Sequence, residues 1–478
     1  MPFPAHKTKI VCTIGPASDS PEILERMIRA GMNIARLNFS HGDFESHAET
    51  IQKIRAAAKG IERRVAIMAD LPGPKMRIGE LEEEPIELKP DDLFTLTTTD
   101  IVGNQSRVSV SFSRLHEAVK PGDNLFLNDG LIEMAVMNVA GHEVQCKVLV
   151  GGQLRSRKGL NLPDIDLGIS AFTDRDHECL KFAMENGVDA ISQSFVETGQ
   201  DIHAVRKAAK DLGHDPFIIA KLERISARDH LDDILEAADG IMIARGDLGV
   251  EIGDAEVPAI QKQIIGRARS LDKPVITATQ MMESMISSPV PTRAEVSDVA
   301  NAVVDGTDTI MLSGETAVGK YPDKVITADQ RICLAAERQP STTVSGHRVE
   351  CRFERVDEAI SMSAMYAANH LDIKVIVALT ESGSTPLWMS HIRTAIPIFA
   401  LSRNPVALGK MTWYRNVYPL FFDVTRHGRD EIKREANNVL ESCGWLKAGD
   451  MAILIKGDRD GVYGGTNSMK IVEVGQVV

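Results

Sequence analysis

Ile218-Ile219-Ala220-Lys221-Leu222-Glu223 and Ile241-Met242-Ile243-Ala244-Arg245-Gly246-Asp247 decide how the rest of this chain is read. Each is a short apolar run that ends on charge. A run of this length without polar alternation reads as a strand buried on both faces, the kind that parallel sheets place under helices. Glu223 and Asp247 close the two runs, and Lys221 stands two residues before the first carboxylate. If the strands are parallel neighbours, two hard oxygen ligands and an ammonium meet at one end of a sheet. Such a group suits Mg2+, with Mn2+ as the alternative ion, beside a phosphorylated acid.

Working outward, six similar runs share the spacing. They lie at Lys9-Ile10-Val11-Cys12-Thr13, Asn33-Ile34-Ala35-Arg36-Leu37-Asn38, Val65-Ala66-Ile67-Met68-Ala69-Asp70-Leu71, Ala190-Ile191-Ser192-Gln193-Ser194, Pro274-Val275-Ile276-Thr277-Ala278-Thr279 and Thr309-Ile310-Met311-Leu312-Ser313. Helical patterns separate them. Ser20-Pro21 opens one helix and Gly31 closes it. Thr292 and Glu295 form a capping box for another, whose expected apolar face is Val296, Val299, Ala300 and Val303. Eight parallel-type strands alternating with helices is the count that closes a (β/α)8 TIM barrel.

The alternation stops at Pro72-Gly73-Pro74 and resumes near Gly168. Between them, short β-type runs split by turn formers predict a small inserted β-barrel lid. Beyond Arg338, Gln339-Pro340-Ser341-Thr342-Thr343 reads as a linker. The runs at Val375–Leu379, Ile396–Leu401 and Met451–Ile455 then predict an open α/β unit, closed by a hairpin-like turn over Tyr463–Ser468. The expected domains are therefore residues 1–71 and 169–338 for the barrel, 72–168 for the lid and 339–478 for the C-terminal unit.

Composition narrows the function. The chain has 478 residues, 43% of them hydrophobic and 25% charged, as in an ordinary globular protein of several domains. A net charge of -13 disfavours nucleic acid as a partner. Six scattered cysteines without a C-x-x-C pair disfavour a zinc site or a disulfide framework and suit a reducing, cytoplasmic setting. No apolar stretch is long enough to span a bilayer, and residues 1–7 lack the apolar core of a signal peptide, so no membrane partner is expected.

In parallel barrels chemistry gathers at the C-terminal strand ends. Those ends carry Arg36, Asn38, Ser40 and His41; Asp70, then Lys75 and Arg77; Ser194; Lys221 and Glu223; Arg245, Gly246 and Asp247; Thr277 and Thr279; and Ser313 and Glu315. One charged end is ordinary solvation, but polar groups at seven of eight are not. Carboxylates for a dication, beside cations able to neutralise a phosphoryl group in flight, point to phosphoryl transfer. Neither G-x-x-x-x-G-K-[ST] nor G-x-G-x-x-G after a strand is present, so a nucleotide would bind by another geometry.

The segments Ala35-Arg36-Leu37-Asn38-Phe39-Ser40-His41-Gly42, Ala220-Lys221-Leu222-Glu223, Ala244–Glu251, Thr277–Met285, Pro291–Glu295 and Met311–Ala317 resemble the signature segments of the pyruvate kinase family, in order over the whole chain. The resemblance implies transfer of phosphoryl from phosphoenolpyruvate to ADP, giving ATP and pyruvate. It implies that Arg36 contacts the substrate phosphate, and that Lys221 stabilises the transferring group and the enolate. It places Mg2+ on Glu223 and Asp247, and the substrate carboxylate on Gly246, Asp247 and Thr279, with Ser194 beside them. Thr279 would lie near the face on which the enolate is protonated. Asn38, His41, Arg77 and Lys158 would serve the nucleotide, and the quaternary state would be a homotetramer. The alternative is a magnesium-dependent lyase or aldolase working through a pyruvate enolate on a similar barrel.

Many family members also need potassium, on ligands that match Asn38, Ser40, Asp70 and the carbonyl of Leu71. In those members a glutamate stands where this chain has Lys75, and Thr-Lys where it has Leu71-Pro72. The expectation is that potassium is not required and that Lys75 supplies the positive charge. In the C-terminal unit Thr380-Glu381-Ser382-Gly383-Ser384-Thr385 follows a strand and opens a helix. The family uses this place for sugar-phosphate effectors, so Thr380, Ser382, Gly383, Ser384 and Thr385 are the expected seat of a phosphorylated effector.

Overall fold

The computed structural model describes residues 6–163, 165, 168–343, 352–428, 431–458 and 465–475. Eight strands form a closed parallel barrel: β1 (Lys9–Thr13), β2 (Ile34–Asn38), β3 (Ala66–Asp70), β4 (Ala190–Gln193), β5 (Phe217–Leu222), β6 (Gly240–Ala244), β7 (Val275–Ala278) and β8 (Thr309–Leu312). They follow chain order around the ring, and β8 pairs back onto β1 with Lys9 opposite Thr309. Alternate residues face opposite ways along each strand. Val11, Ile34, Met68, Ile219, Met242, Ile276 and Met311 fill the interior, whereas Ile10, Cys12, Leu37, Ile67, Ile218, Ile243 and Leu312 pack under the helices. That double burial is why the opening runs carry no polar alternation.

The predicted caps form. Ser20 Oγ accepts from Ile23 N at 3.3 Å, and Thr292 Oγ1 accepts from Glu295 N at 3.2 Å. One expected face is rotated: Val299, Ala302 and Val303 point into the core, and Val296 is 36% exposed. The apolar stripe of that helix is wider than the side it buries.

The inserted segment is a curled six-stranded sheet with a separate two-stranded pair, Ile86–Leu88 and Gly152–Leu154. Its edges are Arg107–Ser109 and Leu160–Asn161. Ile78 bridges Val110 beside one edge and Arg77 bridges Gly159 beside the other, so consecutive residues link the two ends of the curl. The turn-rich sequence hid one short helix here, Leu115–Ala118.

The C-terminal unit is a five-stranded sheet in the order β11 (Val417–Phe421), β10 (Ile398–Ser402), β9 (Ile373–Leu379), β12 (Met451–Gly457), β13 (Thr466–Glu473), with only β13 antiparallel. β11 escapes sequence reading because Pro419 interrupts it, which an edge strand tolerates. The expected linker contains a short helix, Pro340–Thr343. Of the expected hairpin turn, Tyr463 and Gly464 lie outside the described residues. Phe217 of β5 stacks on Trp413 at 5.8 Å between ring centroids, so the lower barrel core runs into the C-terminal unit. Among the described residues no helix is long and apolar enough to cross a membrane.

Candidate active site

Arg36, Asp70 and Lys221 share the strand parity of the inner core residues Ile34, Met68 and Ile219, so they continue the interior to its upper rim. There they meet. Arg36 Nε donates to Asp70 Oδ2 at 2.9 Å, and its Nη1 donates to Thr13 Oγ1 at 3.0 Å. Lys221 Nζ lies 2.7 Å from Glu223 Oε1, 2.9 Å from Ser194 Oγ and 3.6 Å from Asp70 Oδ2. Ser194 Oγ donates to Leu71 O at 2.8 Å. Glu223 Oε2 accepts from Phe195 N at 2.7 Å, a direction set by the left-handed backbone of Phe195 at φ 57°.

Asp70 and Glu223 are 2% and 3% exposed, so their charges interact in a low-dielectric rim. Burial works to raise the Asp70 carboxyl, but Lys221 and Arg36 overcome it and hold Asp70 below its ordinary range. Burial, joined by the charge of Asp247, pushes Glu223 up against the pull of Lys221. Burial opposes the Lys221 ammonium, but Asp70 and Glu223 outweigh it and keep the amine protonated. Two cations thus face three carboxylates. The excess negative charge would repel an anionic substrate, and a dication reverses its sign.

That balance is the test of whether a metal fits. Asp247 is near enough to help raise Glu223, and it lies in the first turn of helix Arg245–Ile252. Among the described residues no cluster of three or more His, Cys, Asp or Glu side chains is placed to hold a metal. A two-carboxylate seat suits Mg2+, which keeps waters and completes its shell with substrate oxygens. Two carboxylates at one rim are the donor chemistry that ion takes.

At the end of β7, Thr279 adopts φ 65° and Gln280 φ 53°. Thr279 Oγ1 accepts from Gly246 N at 2.8 Å and donates to Ala278 O at 2.7 Å. The Gly246 N–H expected to meet a substrate carboxylate is therefore already engaged by Thr279.

A second group gathers beside β2. His41 is exposed, and burial of part of its ring, then Arg77, Lys75 and Arg36, lower it below the ordinary histidine range. Arg77, Lys75 and Arg36 thus all act on the His41 ring. Arg77 Nη1 donates to Arg157 O at 3.0 Å, and Ile78 N donates to Lys158 O at 2.9 Å, so Arg77 and Lys158 sit together on the lid seam. Lys75 is exposed, with its Cε beside Gly159 of that seam. Ser40 N donates to Asn38 Oδ1 at 3.1 Å. A cavity of about 750 Å³ separates the lid from helix Arg245–Ile252. Asp123, Asp129, Glu251 and Asp254 line it, so it is acidic and unlike the cationic group by β2.

The effector loop lies apart from the barrel site. Gly383 takes φ 85°, its N–H donates to Thr380 Oγ1 at 2.9 Å, and Ser382 Oγ and Ser384 Oγ are 3.0 Å apart. Thr385 Oγ1 is buried against Thr466 Oγ1 at 2.8 Å. Glu381 pairs with Arg403 at 3.2 Å.

Sequence reasoning missed two partners. Thr13 anchors Arg36, although it stands directly after the apolar Ile10-Val11-Cys12. Asp70, expected only near a monovalent cation, is the anion that Arg36 and Lys221 share. Its place at the matching end of the third strand was the available signal.

Comparison with known proteins identifies the family. The family model described as "Pyruvate kinase, barrel domain" matches residues 5–326, and "Pyruvate kinase, alpha/beta domain" matches residues 358–472. Pyruvate kinase II of Salmonella typhimurium is 46% identical over 98% of this chain and 99% of its own. Pyruvate kinase of Haemophilus influenzae is 44% identical over 95% and 96%. Pyruvate kinase of Thermococcus litoralis is 43% identical over 99% and 100%. With the two family models and these relatives together spanning nearly the whole chain, the chain belongs to the pyruvate kinase family, as a bacterial-type phosphotransferase that turns phosphoenolpyruvate and ADP into pyruvate and ATP.

Proposed function

We propose that this chain performs that transfer with Mg2+ held by Glu223 and Asp247, and with Arg36, Lys221 and Thr279 acting on the substrate. The observation that carries the reading is the buried rim in which Lys221 lies 2.7 Å from Glu223 and 3.6 Å from the Asp70 that also holds Arg36. When bound, Mg2+ neutralises charge on the phosphoryl oxygens. Arg36 and Lys221, fixed by Asp70, Thr13 and Ser194, donate to the transferring group without having to reorganise. Lys221 then faces the enolate oxygen. Asp247, Thr279 and Ser194 orient the acid, with the Gly246 N–H holding the Thr279 hydroxyl in place, and Thr279 stands by the carbon that takes a proton as pyruvate forms. Asn38, His41, Arg77 and Lys158 receive the diphosphate of ADP, and lid closure excludes water that would otherwise take the phosphoryl group.

Potassium is not required in this reading. In its support, Asn38 Oδ1 and Leu71 O already accept protein donors, from Ser40 N and Ser194 Oγ, and Asp70 turns its Oδ2 to Arg36. Lys75, near Arg36 and His41, supplies the charge. A phosphorylated effector binds Thr380, Ser382, Gly383, Ser384 and Thr385. The domains divide near residues 72, 168 and 338, and the working form is a cytoplasmic homotetramer.

Lys221→Met tests the central assignment. Removing one preorganised donor costs roughly 10²–10³ in kcat, so pyruvate formation in an ADP-dependent coupled assay should fall by about that factor with the fold intact. Full turnover in this variant refutes the role of Lys221.

A further inference from the structure

We propose that Arg245, oriented by Asp298, is a positioning residue that holds Thr279 in its left-handed turn and so aims the Thr279 hydroxyl. The inference rests on the reading of Thr279 given above. It starts from one guanidinium, whose side chain is 10% exposed. Arg245 Nη2 donates to Thr279 O at 2.7 Å and lies 3.3 Å from Gln280 O, while Nε lies 3.3 Å from Ala278 O. Three successive carbonyls at the end of β7 therefore converge on one side chain. Its remaining edge is taken by Asp298, whose carboxylate accepts from Nη1 at 2.8 Å.

The backbone there needs holding. Thr279 and Gln280 are consecutive residues with positive φ, and a β-branched residue in that region is a genuine outlier. Such strain persists only where the surroundings over-determine it. A planar fork with five N–H donors can bind several carbonyls at fixed angles, which an ammonium cannot. Glu315 pins the far side of the turn by accepting from Met282 N at 3.0 Å. The result is a closed circuit. Arg245 fixes the backbone of Thr279, and the next residue, Gly246, donates its N–H to the Thr279 hydroxyl.

The test is a double-mutant cycle of Arg245→Gln and Thr279→Ala, with Arg245→Lys and Asp298→Asn alongside. A misplacement of about 1 Å costs on the order of 100-fold, so Arg245→Gln should lose kcat by about that factor, with KM for ADP unchanged. Arg245→Lys should lose nearly as much, because the fork is absent. The double variant should be no slower than the slower single variant, because both remove one function. Losses that multiply in the double variant, or an Arg245→Gln enzyme with unaltered kcat, overturn the proposal. If Arg245→Gln does not fold, the cycle of Asp298→Asn with Thr279→Ala decides in the same way. An impaired Thr279→Ala with multiplying losses refutes only the clamp. A fully active Thr279→Ala refutes the role of Thr279 and the clamp with it.

Discussion

Replacing Asp329 by asparagine should stabilise the protein, and increasingly so as pH rises. Asp329 is fully buried on helix Pro322–Ala336. Among the described residues its Oδ1 accepts from Cys333 Sγ, at 3.7 Å, and its Oδ2 has no partner. Burial, with the charges of Glu315 and Glu337 adding to it, pushes the carboxyl from 3.8 to about 7. The native state thus holds this proton more tightly than the unfolded chain does. Stability linked to that proton is complete below about 3.8 and is lost as pH rises through about 7. At roughly 1.36 kcal/mol per unit, ionising Asp329 costs the fold about 4 kcal/mol by pH 8.5, and about half of that is already incurred at pH 5.5. Asparagine mimics the protonated acid and does not titrate. Urea unfolding of both proteins across pH 5.5–8.5 measures the difference. The advantage of Asp329→Asn should grow by about 2 kcal/mol over that range, with kcat unchanged because the residue lies outside the strand-end rim. An advantage that is flat or falls with pH refutes the reasoning.

Two further outcomes concern ions and effectors. Activity should not rise when potassium replaces a bulky inert cation, and Lys75→Glu should introduce a potassium requirement; a steep potassium response in the unaltered enzyme, or none in Lys75→Glu, refutes the internal-cation reading. Ser382→Ala with Ser384→Ala should abolish activation by phosphorylated effectors while leaving basal turnover intact, and unchanged activation curves would dismiss that loop as the effector seat.

The order of the strands could be read directly because burial on two faces leaves an unambiguous record. Phe217–Leu222 and Gly240–Ala244 are apolar at nearly every position since one face meets the barrel interior and the other the helices. Lys221, Glu223 and Asp247 were visible as the points where that record breaks. β11 was not, because Pro419 and Tyr418 on an edge strand do not look like a buried run. Val296 was assigned to the wrong side because a stripe of apolar residues shows that a face exists but not which third of it another helix covers.

By itself, then, the sequence determined the parity and position of each strand end, and hence which charged residues reach the rim. The tertiary structure alone decided how those residues divide among themselves. Asp70 is shared by Arg36 and Lys221 because ring closure brings β2, β3 and β5 within reach of one carboxylate. Gly246 meets Thr279 because β6 and β7 are neighbours and the β7 end turns left-handed under the grip of Arg245. Periodicity along a chain reports which side of an element is buried. Partnership across a closed sheet depends on strand order, register and backbone strain, which only the folded ring specifies.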